Sequence, residues 1–315
     1  MTKRILVLGG DGFIGSRVVS ALAASGWAVP VAASRRARSA APGTERLQLD
    51  ATDAEALKRA LDGVAGVVDC VAGAGMIEVA RALFSSGAGI PVVHFSSMAV
   101  YGSATGSITE DAPLKADLGA YSQAKAEAET LAAACPRAVV LRPGCVYGPG
   151  SAQWSLRIAR LLRARRIGDL GAGGDGCCNL VHVDDVAAAA LAALGTPAAA
   201  GRAYNLAMAD APVWNDYFLA FARALGAVPI ARLSERRMKI EGKLLAPPLK
   251  IAEILAGKAG LARLVPPPVP PSLVRLWRQD IRLSSGRAER ELGIAWRDLG
   301  AGLAETAAWV NSARA

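Results

Sequence analysis

Residues 4–26 read RILVLGGDGFIGSRVVSALAASG, and this stretch decides the fold. The apolar run at residues 4–8 is typical of a buried strand, the glycine cluster after it is typical of a tight turn, and SRVVSALAASG has the spacing of a helix. The same order recurs, and we predict further strands at 27–34, 46–50, 66–72, 91–97 and 137–143. Strands that alternate with helices predict a parallel sheet.

The turn within this stretch, Gly10-Asp11-Gly12-Phe13-Ile14-Gly15, has the pattern GxGxxG directly after a strand and at the start of a helix. Small residues let the backbone approach a pyrophosphate, and the N–H groups at the helix N-terminus face that anion. The motif therefore favours a dinucleotide site, with an ordinary glycine-rich turn as the alternative.

The end of the second predicted strand bears on which dinucleotide is bound. An acidic residue there would hold the ribose 2′-OH of NAD, but the chain reads Ser34-Arg35-Arg36. Because a guanidinium suits a 2′-phosphate, we expect NADP(H) to be preferred and NAD(H) to be possible. Two solvated arginines are the alternative. Asp50 is placed to meet the adenine amino group, or simply starts a turn.

We predict an α/β fold: a Rossmann-type doubly wound parallel sheet with a smaller, mostly helical C-terminal substrate lobe. Residues 1–149 would form the dinucleotide-binding domain, to which the chain returns around 179–208. Residues 150–178 and 209–315 would form the substrate-binding lobe, because the strand–helix alternation ends near Gly150. Within that lobe the proline run from Pro266 to Pro271 predicts an extended surface connector.

Composition limits the function classes. The chain has 315 residues, of which 52% are hydrophobic and 20% charged, so wholesale disorder is excluded. Its net charge of +9 raises the question of an anionic partner. The densest basic cluster, SLRIARLLRARR at 155–166, has no interleaved aromatic residues, so we expect a small, possibly anionic substrate rather than nucleic acid.

The five cysteines are odd in number and form no CxxC spacing, which favours a reduced, cytoplasmic setting and no metal site. The N-terminus leads straight into a strand, and no stretch is long and apolar enough to cross a bilayer, so we expect neither a signal peptide nor membrane contact. Cys177 and Cys178 are interpreted as small loop hydrophobes, and His94 as a packing residue of a core strand.

Tyr121-Ser122-Gln123-Ala124-Lys125 places a phenol and an ammonium four residues apart, on one face of a helix. A nearby Lys⁺ lowers the pKa of a phenol and so helps it to exchange a proton with an alcohol or carbonyl oxygen. The stretch FSSMAVYG at 95–102 supplies a hydroxyl at the end of a strand. We therefore predict a hydride-transfer site.

Several motifs follow one another in a recognisable order. They are LGGDGFIG at 8–15, SSMAVYG at 96–102, YSQAK at 121–125, RPGCVYGP at 142–149, HVDDVA at 182–187 and YNLA at 204–207. In these motifs the chain resembles an extended short-chain dehydrogenase/reductase of the NAD-dependent epimerase/dehydratase family. One departure is Leu8, which stands where the family has a threonine.

The resemblance implies the roles of individual residues. Tyr121 would be the acid/base, Ser97 would hold the reacting oxygen, and Lys125 would bind the nicotinamide ribose and lower the pKa of Tyr121. The residues implied in cofactor binding are Gly9, Gly10, Asp11, Gly12, Phe13, Ile14, Gly15, Ser34, Arg35, Arg36, Asp50, Ala51, Val71, Ala72, Gly73, Tyr121, Lys125, Pro143 and Gly144. In this family the helix with the Tyr/Lys pair packs on its symmetry mate, which implies a homodimer.

Departures from the family bear on the reaction. The 4,6-dehydratases have an acidic pair after the catalytic hydroxyl, where this chain has Met98-Ala99, so dehydration is disfavoured. Many nucleotide-sugar epimerases carry an asparagine where Cys145 stands, and an arginine after the GDG loop, where GDGCCNLVHV at 174–183 has none. Arg157, Arg163 or Arg166 could replace that arginine. His182 resembles a structural residue of the family.

Three functions remain open at this point. The first is an NAD(P)-dependent oxidoreductase that interconverts a carbonyl and a secondary alcohol. The second is a nucleotide-sugar epimerase that uses the same Ser/Tyr/Lys site. The third is a non-catalytic assembly protein that keeps the dinucleotide as a structural ligand, which would not need the intact Ser97, Tyr121 and Lys125.

Overall fold

The structure, a computed structural model, describes residues 2–36, 39, 41–86, 89–258 and 265–312. Its strands are β1 (Lys3–Leu8), β2 (Ala28–Ser34), β3 (Glu45–Gln48), β4 (Gly66–Asp69), β5 (Val92–Phe95), β6 (Gly106–Ile108), β7 (Ala138–Pro143), β8 (Cys145–Tyr147), β9 (Gly168–Asp169), β10 (Leu180–His182), β11 (Ala203–Leu206), β12 (Ala231–Arg232) and β13 (Ile281–Leu283). Seven of the described strands form one sheet in the order β11-β7-β5-β4-β1-β2-β3. Every neighbouring pair in it is parallel, as predicted.

Helices cover both faces of this sheet. They and the helices of the C-terminal part are α1 (Phe13–Ala24), α2 (Ala54–Ala60), α3 (Met76–Ser85), α4 (Ala120–Ala133), α5 (Arg157–Arg163), α6 (Val183–Gly195), α7 (Trp214–Ala224), α8 (Glu235–Ile240), α9 (Ala246–Lys258), α10 (Pro271–Arg278), α11 (Gly286–Leu292) and α12 (Leu299–Ser312). None of the described helices is long and apolar enough to cross a membrane.

The apolar run in β1 shows why the fold has two layers of helices. Successive side chains of a strand point to opposite faces. Ile5 and Val7 pack in a cluster with α1 and α6, whereas Leu6 and Leu8 pack in a cluster with α2 and α3. A strand that is buried on both faces must be apolar throughout, which is the pattern of a doubly wound sheet. The Rossmann-type fold predicted from the sequence is confirmed.

Local boundaries differ from the prediction where caps decide them. The first helix was expected from Ser16, but α1 begins at Phe13 because Gly12, in extended conformation, is its N-cap. The strand expected at 91–97 ends at Phe95, since Ser97 caps a short 3₁₀ turn and its Oγ accepts a hydrogen bond from the N–H of Ala99. Because β5 ends two residues before Ser97, this serine lies beyond the strand, at the carboxyl edge of the sheet.

The C-terminal part is built around buried aromatic rings. Trp214 and Phe218 of α7 pack against Trp277 of α10, with ring centroids 5.4 to 6.4 Å apart. The run Pro266–Pro271 was expected as a surface connector, and this is wrong in part: residues 267–269 are buried, because Val269 joins this core.

One helix near the C-terminus lies on the sheet rather than in the aromatic core. Ala288 and Leu292 of α11 belong to the apolar cluster beneath β11 and α6. The division of the chain into two domains at the boundaries given above remains a prediction.

Candidate active site

The three predicted catalytic side chains converge at the carboxyl edge of the sheet. Ser97 follows β5, while Tyr121 and Lys125 lie one turn apart on α4. All three line one cavity of about 730 Å³. In open parallel sheets, ligands bind at this edge. The motifs that contain Ser97, Tyr121 and Lys125 therefore meet in one site.

Several predicted cofactor residues line the same cavity. They are Phe13, Ile14, Val71, Ala72, Tyr121, Lys125, Pro143 and Gly144. The remaining predicted residues do not line it, namely Gly9, Gly10, Asp11, Gly12, Gly15, Ser34, Arg35, Arg36, Asp50, Ala51 and Gly73. The opposite wall was missed by sequence reasoning. It comes from Trp154 and from α10 and its C-terminal end, with Arg275, Leu276 and Gln279.

Tyr121 is half exposed, and it lines the same cavity as the Ser97 side chain. Displacement of water by the surrounding protein raises the pKa of Tyr121, and the nearby Ser97 hydroxyl offsets only part of this rise. That Lys125 lowers this pKa stays a prediction, and in this structure the Lys125 ammonium is bound to the backbone. Its Nζ donates to the carbonyl oxygen of Phe95 at 2.5 Å.

Lys125 is 2% exposed, and this burial lowers its pKa. The negative charge of Asp69 opposes the shift most strongly, followed by Cys70 and Glu129. Asp69 itself accepts a 2.8 Å hydrogen bond involving Nδ1 of His94 and another from the N–H of Val71. His94, expected to be a packing residue, is buried but also orients this carboxylate beside the lysine.

A buried polar network, which sequence reasoning missed, fixes α4 against the sheet. The carboxylate of Glu129 on α4 accepts hydrogen bonds from the Arg142 guanidinium of β7, the shortest at 2.6 Å, and from Ser96 Oγ at 2.5 Å. Arg142 also donates to the phenol oxygen of Tyr101, which in turn donates to Asn205. The network links four elements of the sheet edge to the helix that carries Tyr121.

The glycine turn has the geometry of an anion site, although packing explains several of its glycines. Gly9 has φ +70°, and a Cβ on Gly15 would lie 2.2 Å from the carbonyl oxygen of Gly9. At Gly12 no side chain caps α1, and the first turn of α1 has no acidic residue. Because Phe13 and Ile14 line the cavity, the positive end of the helix lies beside it, which suits the pyrophosphate of a dinucleotide.

The predicted adenosine end is open to solvent. Arg35 and Arg36 are both exposed, and the Ser34 hydroxyl donates to the carbonyl oxygen of Arg36. Asp50 uses Oδ1 to accept hydrogen bonds from the N–H and hydroxyl of Thr52, which lower its pKa. This is the turn-starting role that the sequence left open.

Asp11 of the glycine turn forms an ion pair that the sequence did not suggest. Its carboxylate is bound by the guanidinium of Arg46 at the start of β3. This contact ties the turn to the edge of the sheet where Ser34 ends its strand.

His182 is buried and packs edge-on against Tyr147. Its ligating atoms lie within 4.8 Å of those of Asp184 and Glu305, a spacing that could hold a metal ion. However, the guanidinium of Arg297 donates to both carboxylates, and Arg17 forms a further ion pair with Asp184, so two positive charges already balance the two carboxylates. The Nδ1 of His182 accepts from the N–H of Asp184, so this histidine caps α6, as the structural interpretation expects.

The basic cluster at 155–166 does not form the anion-binding site that the sequence suggested. Arg166 is buried in an ion pair with Glu241, and Arg163 donates to Asn311. Neither lines the cavity, and neither does Arg157. Cys177 and Cys178 are buried, in keeping with the interpretation as loop hydrophobes.

Comparisons with known proteins show the family and the fold of this chain. The profile of the NAD dependent epimerase/dehydratase family matches residues 5–207. A 3-diazoavenalumate denitrifying reductase from Streptomyces sp. is 31% identical over 261 residues, covering 72% of this chain and 83% of that protein. Among solved structures, dTDP-glucose 4,6-dehydratase from Bacillus anthracis, in complex with NAD, superposes with a TM-score of 0.73 at 19% identity, covering 99% of this chain and 97% of that one. UDP-N-acetylglucosamine 4-epimerase from Bacillus cereus gives 0.71 at 18% identity, covering 98% and 99%.

The sheet, the glycine turn and the Ser/Tyr/Lys cavity define a Rossmann-type enzyme class. The chain belongs to the NAD-dependent epimerase/dehydratase family, within the extended short-chain dehydrogenases/reductases. The family includes reductases, epimerases and dehydratases that use nicotinamide dinucleotides. The two solved structures, being below 25% identity, show the fold alone.

Proposed function

We propose that this protein is an NAD(P)-dependent oxidoreductase that interconverts a carbonyl and a secondary alcohol. The observation that carries the proposal is the convergence of Ser97, Tyr121 and Lys125 on one cavity, beside the uncapped N-terminus of α1. An assembly protein that kept a dinucleotide only for structure would not need this convergence of polar groups on a cavity.

Each side chain has a distinct role in this reaction. A bound nicotinamide supplies or accepts a hydride at C4 of its ring. Tyr121 gives its phenolic proton to the carbonyl oxygen during reduction, or takes the proton of the alcohol during oxidation. Ser97, which lines the cavity together with that phenol, holds the same substrate oxygen. Pro143 and Gly144 line the wall that would lie against the ring.

Lys125 has a supporting role beside Ser97 and Tyr121. Its buried ammonium is held by the Phe95 carbonyl and by the negative field of Asp69, so it can reach ribose hydroxyls only by leaving or sharing that carbonyl contact. A raised pKa of Tyr121 keeps the phenol protonated, which suits a proton donor in the direction of carbonyl reduction.

Two observations favour an oxidoreductase over a nucleotide-sugar epimerase. The relative with 31% identity is named a reductase. In addition, where many epimerases hold a diphosphate this chain has the buried Cys145 and, after the GDG loop, no arginine, and Arg163 and Arg166 are engaged elsewhere. The diphosphate of a nucleotide-sugar would therefore lack its usual partner.

Replacement of Tyr121 by phenylalanine tests the proposal. The variant removes only the hydroxyl, so dinucleotide affinity should stay within a factor of about two while turnover falls by about 10²-fold or more. Tyr147→Phe is the matched control, because that buried phenol makes no hydrogen bond among the described residues and lies outside the cavity lining. Equal turnover of the Tyr121 variant and wild type would refute the assignment.

We further propose that NADP(H) is the preferred cofactor and that Arg35 and Arg36 select it. Both guanidinium groups are exposed at the end of β2, where a 2′-phosphate would lie, and charge-assisted contacts of about 1.5–3 kcal/mol each correspond to at least a tenfold preference over NAD(H). Calorimetric titration of both dinucleotides should show this preference in wild type and its loss in Arg35→Ala/Arg36→Ala. Lys58→Ala/Arg59→Ala, an equal charge change on α2, should retain it.

We also propose that the chain forms a homodimer through α4. The apolar surface of α4 available for dimerisation is smaller than the sequence suggested, because Ala128 and Ala132 are buried within the chain. Ala124, Ala126 and Leu131 remain partly exposed. Light scattering at two ionic strengths measures the mass, and a monomer at both would contradict the proposal.

A further inference from the structure

A second cavity, of about 540 Å³, opens next to the catalytic one. It lies between α10 and the segment from α8 through the π-helical turn at Glu241–Leu245. Its interior is apolar, with Leu118, the buried Met238 and Val274 in the wall. An apolar cavity of this size is suited to an organic ligand rather than to water alone.

The rim of this second cavity is strongly basic. Lys239, Lys243, Arg275 and Arg278 line it, whereas none of its described lining residues is acidic. Arg278 forms an ion pair with Glu235 at 3.2 Å. No ion pair within the described part of the chain involves the other three cations. Several uncompensated positive charges around an apolar wall favour a ligand that is both apolar and anionic.

The two cavities are contiguous. Leu118, Arg275 and Gln279 line both of them. Gln279 is held in place because its side-chain amide donates to the carbonyl oxygens of Gly102 at 2.7 Å and Ala104 at 3.1 Å. A molecule whose reacting carbon lies at Tyr121 can therefore extend past Leu118 and place its far end among the cations.

We propose that the second cavity binds the anionic end of the substrate, and that the substrate is a carboxylate with an apolar body. This inference rests on the proposed function for the position of the reacting carbon. The described lining includes no aromatic side chain on which a nucleobase could stack, so an apolar carboxylate fits better than a nucleotide. Arg275, which faces both cavities, contacts the ligand where it passes from one to the other.

Equilibrium binding of a matched pair of probes tests the inference without any turnover. 2-Naphthoate and 2-naphthamide have the same apolar body and differ in charge. We expect the carboxylate to bind at least about tenfold more tightly to wild type, with and without saturating NADP⁺, because its contacts to cationic groups are charge-assisted. Lys239→Ala/Lys243→Ala should remove most of this selectivity, measured by calorimetry, while the affinity for the amide changes little.

Two variants separate this inference from its alternatives. Arg236→Ala/Arg237→Ala removes two charges from the same helix but outside the cavity lining, and should keep the selectivity. Tyr121→Phe should bind 2-naphthoate as wild type does, whatever becomes of the proposed reaction. Equal affinity for the two probes, no binding of either, or an equal loss of selectivity in both double variants would overturn the inference. Retained turnover in Tyr121→Phe would refute the reaction alone.

Discussion

Loss of the buried charge of Glu129 should destabilise the protein strongly. Its carboxylate receives three close contacts from Arg142, at 2.6, 3.0 and 3.1 Å, and the two side chains are only 6% and 8% exposed. Glu129→Gln leaves the guanidinium buried without its counter-charge, which costs about 3–5 kcal/mol of unfolding free energy. Ser96→Ala, which removes one hydrogen bond to the same carboxylate, should cost only about 1 kcal/mol.

Urea unfolding at neutral pH measures these values, with the slope of the transition checked for constancy. Glu127→Gln is the control on the same helix. Its ion pair with Arg81 is about half exposed, so its loss should cost less than about 1 kcal/mol. The double variant Glu129→Leu/Arg142→Met should regain at least about 2 kcal/mol relative to the sum of the single changes. A cost below about 1 kcal/mol for Glu129→Gln would refute the reasoning, because the pair would not then be an essential buried contact.

Other parts of the chain give further predictions. Gly15→Ala should lower the unfolding free energy by about 1–3 kcal/mol, since its Cβ meets the backbone oxygen of Gly9; an unchanged melting temperature would contradict this. Hydrogen bonding to Arg287 lowers the pKa of Asp111, so its contribution to stability is present above the usual aspartate pKa of 3.8 and is lost as pH falls through the folded value. The difference between wild type and Asp111→Asn in urea unfolding should therefore vanish in acid, and a difference that grows there would count against the contact. Burial raises the pKa of the Cys145 thiol, so Ellman's reagent should not modify it in the native protein, and modification at the rate of the unfolded chain would show the site to be open.

The sequence was sufficient to predict those strands and helices that short-range patterns determine. Apolar runs and helical spacing predict the strands of the parallel sheet and place Tyr121 and Lys125 on one helix face, whereas the meeting of this pair with Ser97 was implied by the resemblance to the family. The predicted ends of the helices and strands were less accurate, because they depend on caps such as Gly12 and on the 3₁₀ turn after β5.

The electrostatics and the substrate wall could not be predicted in the same way. The direction of the Lys125 ammonium toward the Phe95 carbonyl depends on how α4 packs on β5, which no local pattern encodes. Arg275 and Gln279 come from a segment without a motif, more than 140 residues after the Tyr/Lys pair, and only tertiary packing brings them to the cavity. The sequence could not show that Arg163 and Arg166 are engaged by other side chains, because their partners Asn311 and Glu241 are also distant in the chain.

The most direct measurement is the fate of deuterium from NADPH labelled at the transferable C4 position, with carbonyl-bearing aromatic carboxylates as substrates and mass spectrometry of the products. An oxidoreductase with Tyr121 as proton donor should place one deuterium on the carbinol carbon for each NADPH oxidised, and Tyr121→Phe should slow this transfer by about 10²-fold. The contradicting result would be a protein that oxidises no NADPH with any of these carbonyls, transfers no deuterium, and instead inverts nucleotide-sugars with a tightly held NAD⁺ that does not exchange.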